Sequence, residues 1–183
     1  MLENLPTWLL ITLAVIAFLA LFWGVRALNR FFTELLHPFK KGKRYWCTVI
    51  AVSDGDTITC KRINMRRSVT KVRLAYVDAP ESSQAFGKEA QKMVMDMVYK
   101  KLVRIHIVDT DRYGRHVAEV HRRGKHINEE LIKKGGAWVY SDYIKNKKYA
   151  ERLQKLQNDA KKDKKGLWKA SRPMNPSAYR KAN

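Results

Sequence analysis

Four short segments hold polar residues at spacings that suit chemistry on a phosphodiester: DGDT at 54–57, VRLAYVDAPE at 72–81, DRYGR at 111–115 and AWVYSDY at 137–143. Each alone is commonplace, since Asp-Gly pairs make turns and Asp-Ala-Pro-Glu can cap one. Together they supply three things that phosphodiester hydrolysis needs. A hard cation takes several oxygen ligands, and Asp56 and Asp78 are the expected carboxylates, with the backbone carbonyl of Ala79 as a third oxygen. Water must lose a proton as it attacks, and Glu81, three residues beyond Asp78 and preceded by Pro80, is placed to take it. Negative charge grows on the phosphate oxygens, and the guanidinium groups of Arg73 and Arg115 can grip two oxygens at once while staying protonated.

These residues need elements that bring them together. From residue 45 the chain turns to short runs rich in β-branched residues at 45–52, 57–63 and 69–77. The first two are joined by Ser-Asp-Gly-Asp, a hairpin signal, so the three runs form a meander. Asp56 then starts the second strand and Asp78 ends the third, at one mouth of a sheet. Residues 87–101 space Ala90, Met93, Val94, Met97 and Val98 at helical intervals, with Glu89 in the first turn and Lys100 and Lys101 in the last. Strands are expected at 102–108 and 116–121, a short helix at 127–134 and a longer basic one at 147–164, with Leu167 and Trp168 packing that helix back. Five short strands with interleaved helices define an α+β fold, a five-stranded oligonucleotide-binding β-barrel with about three helices.

The barrel is preceded by residues 8–25, which carry no charge and as a helix span roughly 27 Å, close to a hydrocarbon core. Glu3 and the absence of Lys or Arg before this run, with no small-x-small site after it, favour a retained transmembrane helix over a cleaved signal. The expected organisation is 1–25 as tail and membrane segment, 26–44 as a basic juxtamembrane linker broken by Pro38 and Gly42, 45–170 as the enzymatic domain, and 171–183 as a loose tail. The chain has a net charge of +20, and from residue 45 onward it holds 31 of the 37 Lys and Arg against 15 of the 17 Asp and Glu. Such a surface favours polyanions, nucleic acid or anionic lipid. Cys47 and Cys60 flank the first hairpin and could be bridged across it or stay as two buried thiols. The five histidines (37, 106, 116, 121, 126) form no ligand set by spacing and are expected on the surface or in packing.

The ordered motifs DGDT, Arg-x-x-x-Val-Asp-x-Pro-Glu, Asp-Arg-Tyr-Gly-Arg, Asn-x-x-Leu-Ile-x-x-Gly at 128–135 and Gly-Leu-Trp at 166–168 resemble the staphylococcal-nuclease-like, or thermonuclease, family over about residues 47–168. The resemblance implies a five-stranded oligonucleotide-binding barrel with three helices and calcium-dependent cleavage of DNA and RNA to 3′-phosphorylated ends. It assigns calcium to Asp56 and Asp78, the base to Glu81 and phosphate binding to Arg73 and Arg115. It makes Tyr113, with Tyr140 or Tyr143, the wall against which a nucleotide lies, and Arg112 beside Tyr113 joins the substrate-binding set, although packing is an equal account of Tyr140. Two departures stand out: Ala79 replaces a hydroxyl residue of the secreted prototype, where only a main-chain oxygen is needed, and the loop 81–87 is shorter.

The competing expectations are a catalytically dead nucleic-acid binder on the same barrel and a basic module that docks on anionic membrane. All five motif positions keep the residue type that the chemistry needs, which favours a monomeric enzyme acting on DNA or RNA and held to a membrane through residues 8–25. Six Lys and Arg follow the membrane segment and none precedes it, which puts the domain in the cytoplasm by the positive-inside rule, whereas the family's exported habit puts it outside.

Overall fold

The computed structural model describes residues 6–36, 39–63 and 67–182. The expected break at Pro38 and the residue His37 lie outside them. The chain divides into two compact units, Met1–Pro38 and Phe39–Asn183.

The first unit is one helix, α1 (Thr7–Leu36). Thr7–Asn29 has a mean hydropathy of 2.5 and its apolar stretch holds no buried residue, a length and composition sufficient to cross a membrane. The helix runs on past Val25, so residues 26–36 of the expected linker are helical. Arg26 lies over the rings of Phe22 and Trp23 at 5.9 and 6.0 Å, where a cation can sit beside apolar surface.

In the second unit, strands β1 (Arg44–Val52), β2 (Thr57–Arg62), β3 (Val69–Leu74), β5 (Leu102–Thr110) and β6 (His116–Arg122) form the barrel, with β4 (Val77–Asp78) lying between β3 and β5 in the chain. The sheet runs β3-β2-β1-β5-β6 and closes by parallel pairing of β3 with β6, Val72 opposite His116 and Leu74 opposite Ala118. Closure leaves these barrel strands without an open edge. The inner residues Val49, Ile58, Val72, Val103, Ile105, Ile107 and Val120 are fully buried, each contributing roughly 1.5–3 kcal/mol of apolar burial. A bulge between Val49 and Ala51 in β1, and another between Ile107 and Asp109 in β5, let the strands coil enough to close.

Three helices cover the barrel: α2 (Gly87–Val98), α3 (Ile127–Lys133) and α4 (Lys147–Lys162). The hairpin strand β7 (Lys125–His126) leads into α3, and β8 (Trp138–Val139) pairs with β4. Buried Asn128 knits α3 to the strands, accepting from the Val120 N–H and donating to the carbonyls of Ala75 and Ala118. The Gly-Leu-Trp motif forms a 3-10 turn (Gly166–Lys169) whose Leu167 and Trp168 pack with Ala160 of α4 and with Trp138, as the sequence suggests. Gly135 ends α3 at φ 68°, and a Cβ there would collide with the Lys165 carbonyl, so glycine is what lets this turn dock.

Two local features differ from expectation, while the Asp-Gly segment joins β1 to antiparallel β2 as expected. The third run is not one strand to residue 77: Tyr76 takes φ 66°, breaking it so that Val77 and Asp78 leave the barrel and pair with Val139 and Trp138. In the Asp-Gly turn a Cβ on Gly55 would lie 2.6 Å from the Ala79 Cβ and 2.9 Å from the Ala90 Cβ. The tail is not loose, since residues 176–182 form α5 (Pro176–Ala182). Cys47 and Cys60 are free and fully buried, with Cys47 opposite Arg62 and Cys60 opposite Val49. The close Cys47 thiol and burial together push the Cys60 thiol up.

Candidate active site

Residue alternation on β3 directs Val72 and Leu74 into the core and therefore Arg73 away from it. Its guanidinium lies between two carboxylates: one terminal nitrogen is 2.8 Å from Asp56 Oδ2 and the other 3.0 Å from Asp78 Oδ1. Both acids are buried, Asp56 at 5% and Asp78 at 2% exposure. Asp56 is placed by backbone. Asp54 caps its N–H at 2.9 Å, and its carbonyl accepts from the Leu74 N–H at 2.8 Å. Its carboxylate accepts from Thr57 Oγ1 at 3.0 Å and the Ala79 N–H at 3.3 Å. Asp78 is placed by the left-handed turn at Tyr76 and the short β4–β8 pairing described above. Close approach of Gly55 to Ala79 presses the two acid-bearing segments together.

Burial pushes the Asp56 carboxyl up to about 7, opposed by Arg73 and by the Ala79 and Thr57 hydrogen bonds, while Asp54 adds to the rise. Burial works against the charge of Arg73 too, yet Asp56 and Asp78 hold its guanidinium above its ordinary value. Two buried carboxylates, one penalised for ionising, are a donor set that a hard divalent cation would stabilise. The residues therefore fit such an ion.

The cleft beside these acids has a volume of about 1110 Å³ and is lined by Asp56, Arg73, Ala79, Glu81, Tyr113, Arg115, Tyr140 and Tyr143. Glu81 faces it half-buried, its side chain 37% exposed. Arg115 reaches it from the loop between β5 and β6. Asp111 builds that loop, accepting the N–H groups of Tyr113 and Arg115 at 2.9 Å and the Arg115 Nε at 2.7 Å. Arg115 also points toward Thr57 Oγ1 at 3.5 Å, which places it one hydroxyl away from Asp56. Exposed Tyr113 has Arg112 at 4.9 Å and Arg115 at 5.5 Å from its ring. Tyr143 is 71% exposed; Tyr140 is half-buried, donates its N–H to the Tyr76 carbonyl and packs its ring 5.6 Å from that of Tyr143.

All the residues singled out from sequence thus meet at one cleft, Asp78 behind its wall. Two contributors were given no role from the sequence. Asp111 carried a signal, its place at the head of an Asp-Arg-Tyr-Gly-Arg turn. Arg180 carried none: it comes from α5, with a terminal nitrogen 2.6 Å from Glu81 Oε1 and the other 3.1 and 3.2 Å from the Asp78 oxygens.

The histidines also need correction. On the barrel face formed by β5, β6 and β7, His106 Nδ1 lies 3.0 Å from Glu119 Oε2, and Glu119, His121 and His126 converge with ligand-type atoms within 4.8 Å of one another. Alternation puts Glu119 and His121 on one face and the tight Arg123-Gly124 turn sets His126 opposite His121, a signal that spacing along the chain hides. His126 also caps α3, its Nδ1 facing the Glu129 N–H at 3.5 Å.

Residues 71–170 match the family described as staphylococcal nuclease homologue. A protein of Haemophilus influenzae named an uncharacterized endonuclease is 41% identical over 135 residues, 74% of this chain and 72% of that protein. A micrococcal nuclease of Shigella flexneri is 31% identical over 144 residues, 74% of this chain and 80% of the other. A staphylococcal-like nuclease of Arabidopsis thaliana is 40% identical over 111 residues, 61% of this chain; those residues span 33% of the plant protein.

Proposed function

The chain belongs to the staphylococcal nuclease family and is a nuclease of thermonuclease type, and on that premise we propose that it is a calcium-dependent endonuclease, tethered to a membrane, that cuts DNA and RNA to 3′-phosphorylated ends. The observation that carries this is the pair of buried carboxylates, Asp56 and Asp78, held on either side of Arg73 at a cleft that also presents Glu81 and Arg115.

Asp56 and Asp78 hold the calcium, with the Ala79 carbonyl as the third protein oxygen. When bound, the ion supplies charge that offsets the charge growing on the phosphate. Glu81, half-exposed on the cleft, accepts a proton from water as that water's oxygen bonds to phosphorus. The bond from phosphorus to the 5′ oxygen breaks on the opposite side, the 5′ oxygen gains a proton, and the phosphate stays on the 3′ end. Arg73 and Arg115 grip the equatorial oxygens, and each is held in advance by an acid, Asp56 with Asp78 and Asp111 respectively, so little ordering is left for the reaction step. Tyr113 and Arg112, with Tyr140 and Tyr143 opposite, hold the neighbouring nucleotides by stacking. The helix α1 sets the reaction beside a bilayer.

Release of acid-soluble nucleotide from DNA and from RNA, with calcium and with chelator, is the test. Release that needs calcium, together with calorimetric calcium binding abolished in Asp78→Asn, supports the proposal. Tight DNA binding with no release would instead make the chain a binder.

A further inference from the structure

The two acids closest to the chemistry touch a part of the chain beyond residue 170, where the family match ends. Glu81 opens the short loop 81–87, and that loop is tied to residues 174–180 at three points. Arg180 donates to Glu81 Oε1 at 2.6 Å. The Tyr179 hydroxyl donates to the Ser83 carbonyl at 3.3 Å and lies 3.1 Å from Ser83 Oγ. Gln84, buried at 7% exposure, donates from Nε2 to the Met174 carbonyl at 2.7 Å while its Oε1 accepts the Glu81 N–H at 3.1 Å. The second terminal nitrogen of Arg180 spans both oxygens of Asp78. One planar guanidinium thus bridges the loop acid Glu81 and the β4 acid Asp78, three residues earlier, and its rigid fork fixes the spacing of the two side chains.

We propose that residues 174–180 are a working part of the active site, with Arg180 as a positioning residue that holds Glu81 in register with Asp78, an inference that rests on the nuclease reading of the site. A carboxylate on a loop has rotamers to lose, and a base misplaced by an ångström loses rate steeply. Arg180 restricts Glu81 before substrate arrives, while Tyr179 and Gln84 hold the backbone that carries it. The shortness of the loop fits this support, since the tail supplies from outside what a longer loop would provide from within.

The test uses the full chain and two readouts. In Arg180→Ala, kcat on DNA should fall on the order of 10- to 100-fold with KM little changed, and Arg180→Lys should recover part of it. Independently of turnover, amide hydrogen exchange across 82–87 should quicken in Arg180→Ala and, to a smaller degree, in Tyr179→Phe, while the strands of the barrel exchange as in the wild type and report an intact fold. Unchanged exchange and kcat would overturn the proposal. So would a rise in KM alone, which makes Arg180 a phosphate-binding residue, or faster turnover with tighter calcium binding, which makes it an inhibitory plug. If the wild type cleaves nothing the nuclease reading falls, and the exchange result alone still decides whether the tail holds the loop.

Discussion

Arg73 is the side chain on which most of the site depends. It offsets two carboxylates that are both almost fully buried, so Arg73→Ala leaves Asp56 without an ion-pair partner and Asp78 with Arg180 alone. Removing one partner of a buried pair costs on the order of 3–5 kcal/mol, and removing a transition-state donor costs about 10²–10³ in rate. Urea unfolding and kcat should both fall in this variant, whereas Arg115→Ala, whose side chain is 26% exposed, should lose rate with a smaller change in the urea midpoint. Asn128 is different in kind. It makes three buried hydrogen bonds far from substrate chemistry, so Asn128→Ala should lower stability by about 2–3 kcal/mol, each orphaned group costing about 1–3, with kcat of the folded fraction little altered. The histidines set a pH dependence. Burial, then the neighbouring His121, holds His126 below the ordinary histidine value, and burial does the same to His121 despite the raising charge of Glu119. The unfolded chain, titrating near 6.5, therefore binds more protons in acid than the folded chain does. Their contribution to stability is fully present above about pH 6.5 and falls as the pH drops below that value, whereas the raised Asp56 carboxyl, protonated in the folded chain up to about 7, works in the opposite sense. Urea midpoints of the wild type and of His126→Asn, which keeps an acceptor for the Glu129 N–H, isolate the histidine part: from pH 7.5 to 5.5 the variant should lose less stability than the wild type, or gain more.

At the scale of elements, the site is made by close backbone approach as much as by side chains. Gly55 has no room for a methyl between Ala79 and Ala90, so Gly55→Ala must push the Asp56 loop away from α2 and from the segment after Asp78. Activity should drop more than the melting temperature does, because the acids shift before the barrel opens. Strand and helix positions were largely readable from β-branched runs and the 3.6-residue apolar spacing of residues 87–101, since those patterns record which face meets the core. The DGDT, VDAPE and DRYGR segments stood out by residue type, and the structure brings residues of all three to one cleft. What could not be read follows from geometry that one-dimensional spacing does not encode. The break at Tyr76 needs a left-handed tyrosine, which propensity does not favour. The Glu119, His121 and His126 group forms only when β6, β7 and the tight turn between them align. The docking of α5 depends on contacts spanning about a hundred residues, between Arg180 and Glu81, and no local pattern marks it.

At the scale of the molecule, the units Met1–Pro38 and Phe39–Asn183 are separately compact, and the family match and the candidate cleft lie wholly in the second. The first exposes Trp8, Phe18, Leu21 and Trp23 along an apolar helix, a surface that water disfavours. Flotation with liposomes should carry the full chain and leave residues 39–183 behind, and those residues alone should keep the DNA-cleaving kcat. Removing the helix without changing kcat would separate tethering from chemistry; a shortened chain that still floats would place membrane affinity on the basic barrel instead. The measurement that tests the central claim most directly is single-turnover cleavage of DNA by wild type and Glu81→Gln at saturating calcium, with calcium affinity measured on both. The expected result is calcium-dependent cleavage by the wild type, a fall of roughly 10²–10⁴-fold in the variant, and calcium affinity retained in both. Cleavage by Glu81→Gln at the wild-type rate, or cleavage by the wild type that persists in chelator, would contradict it.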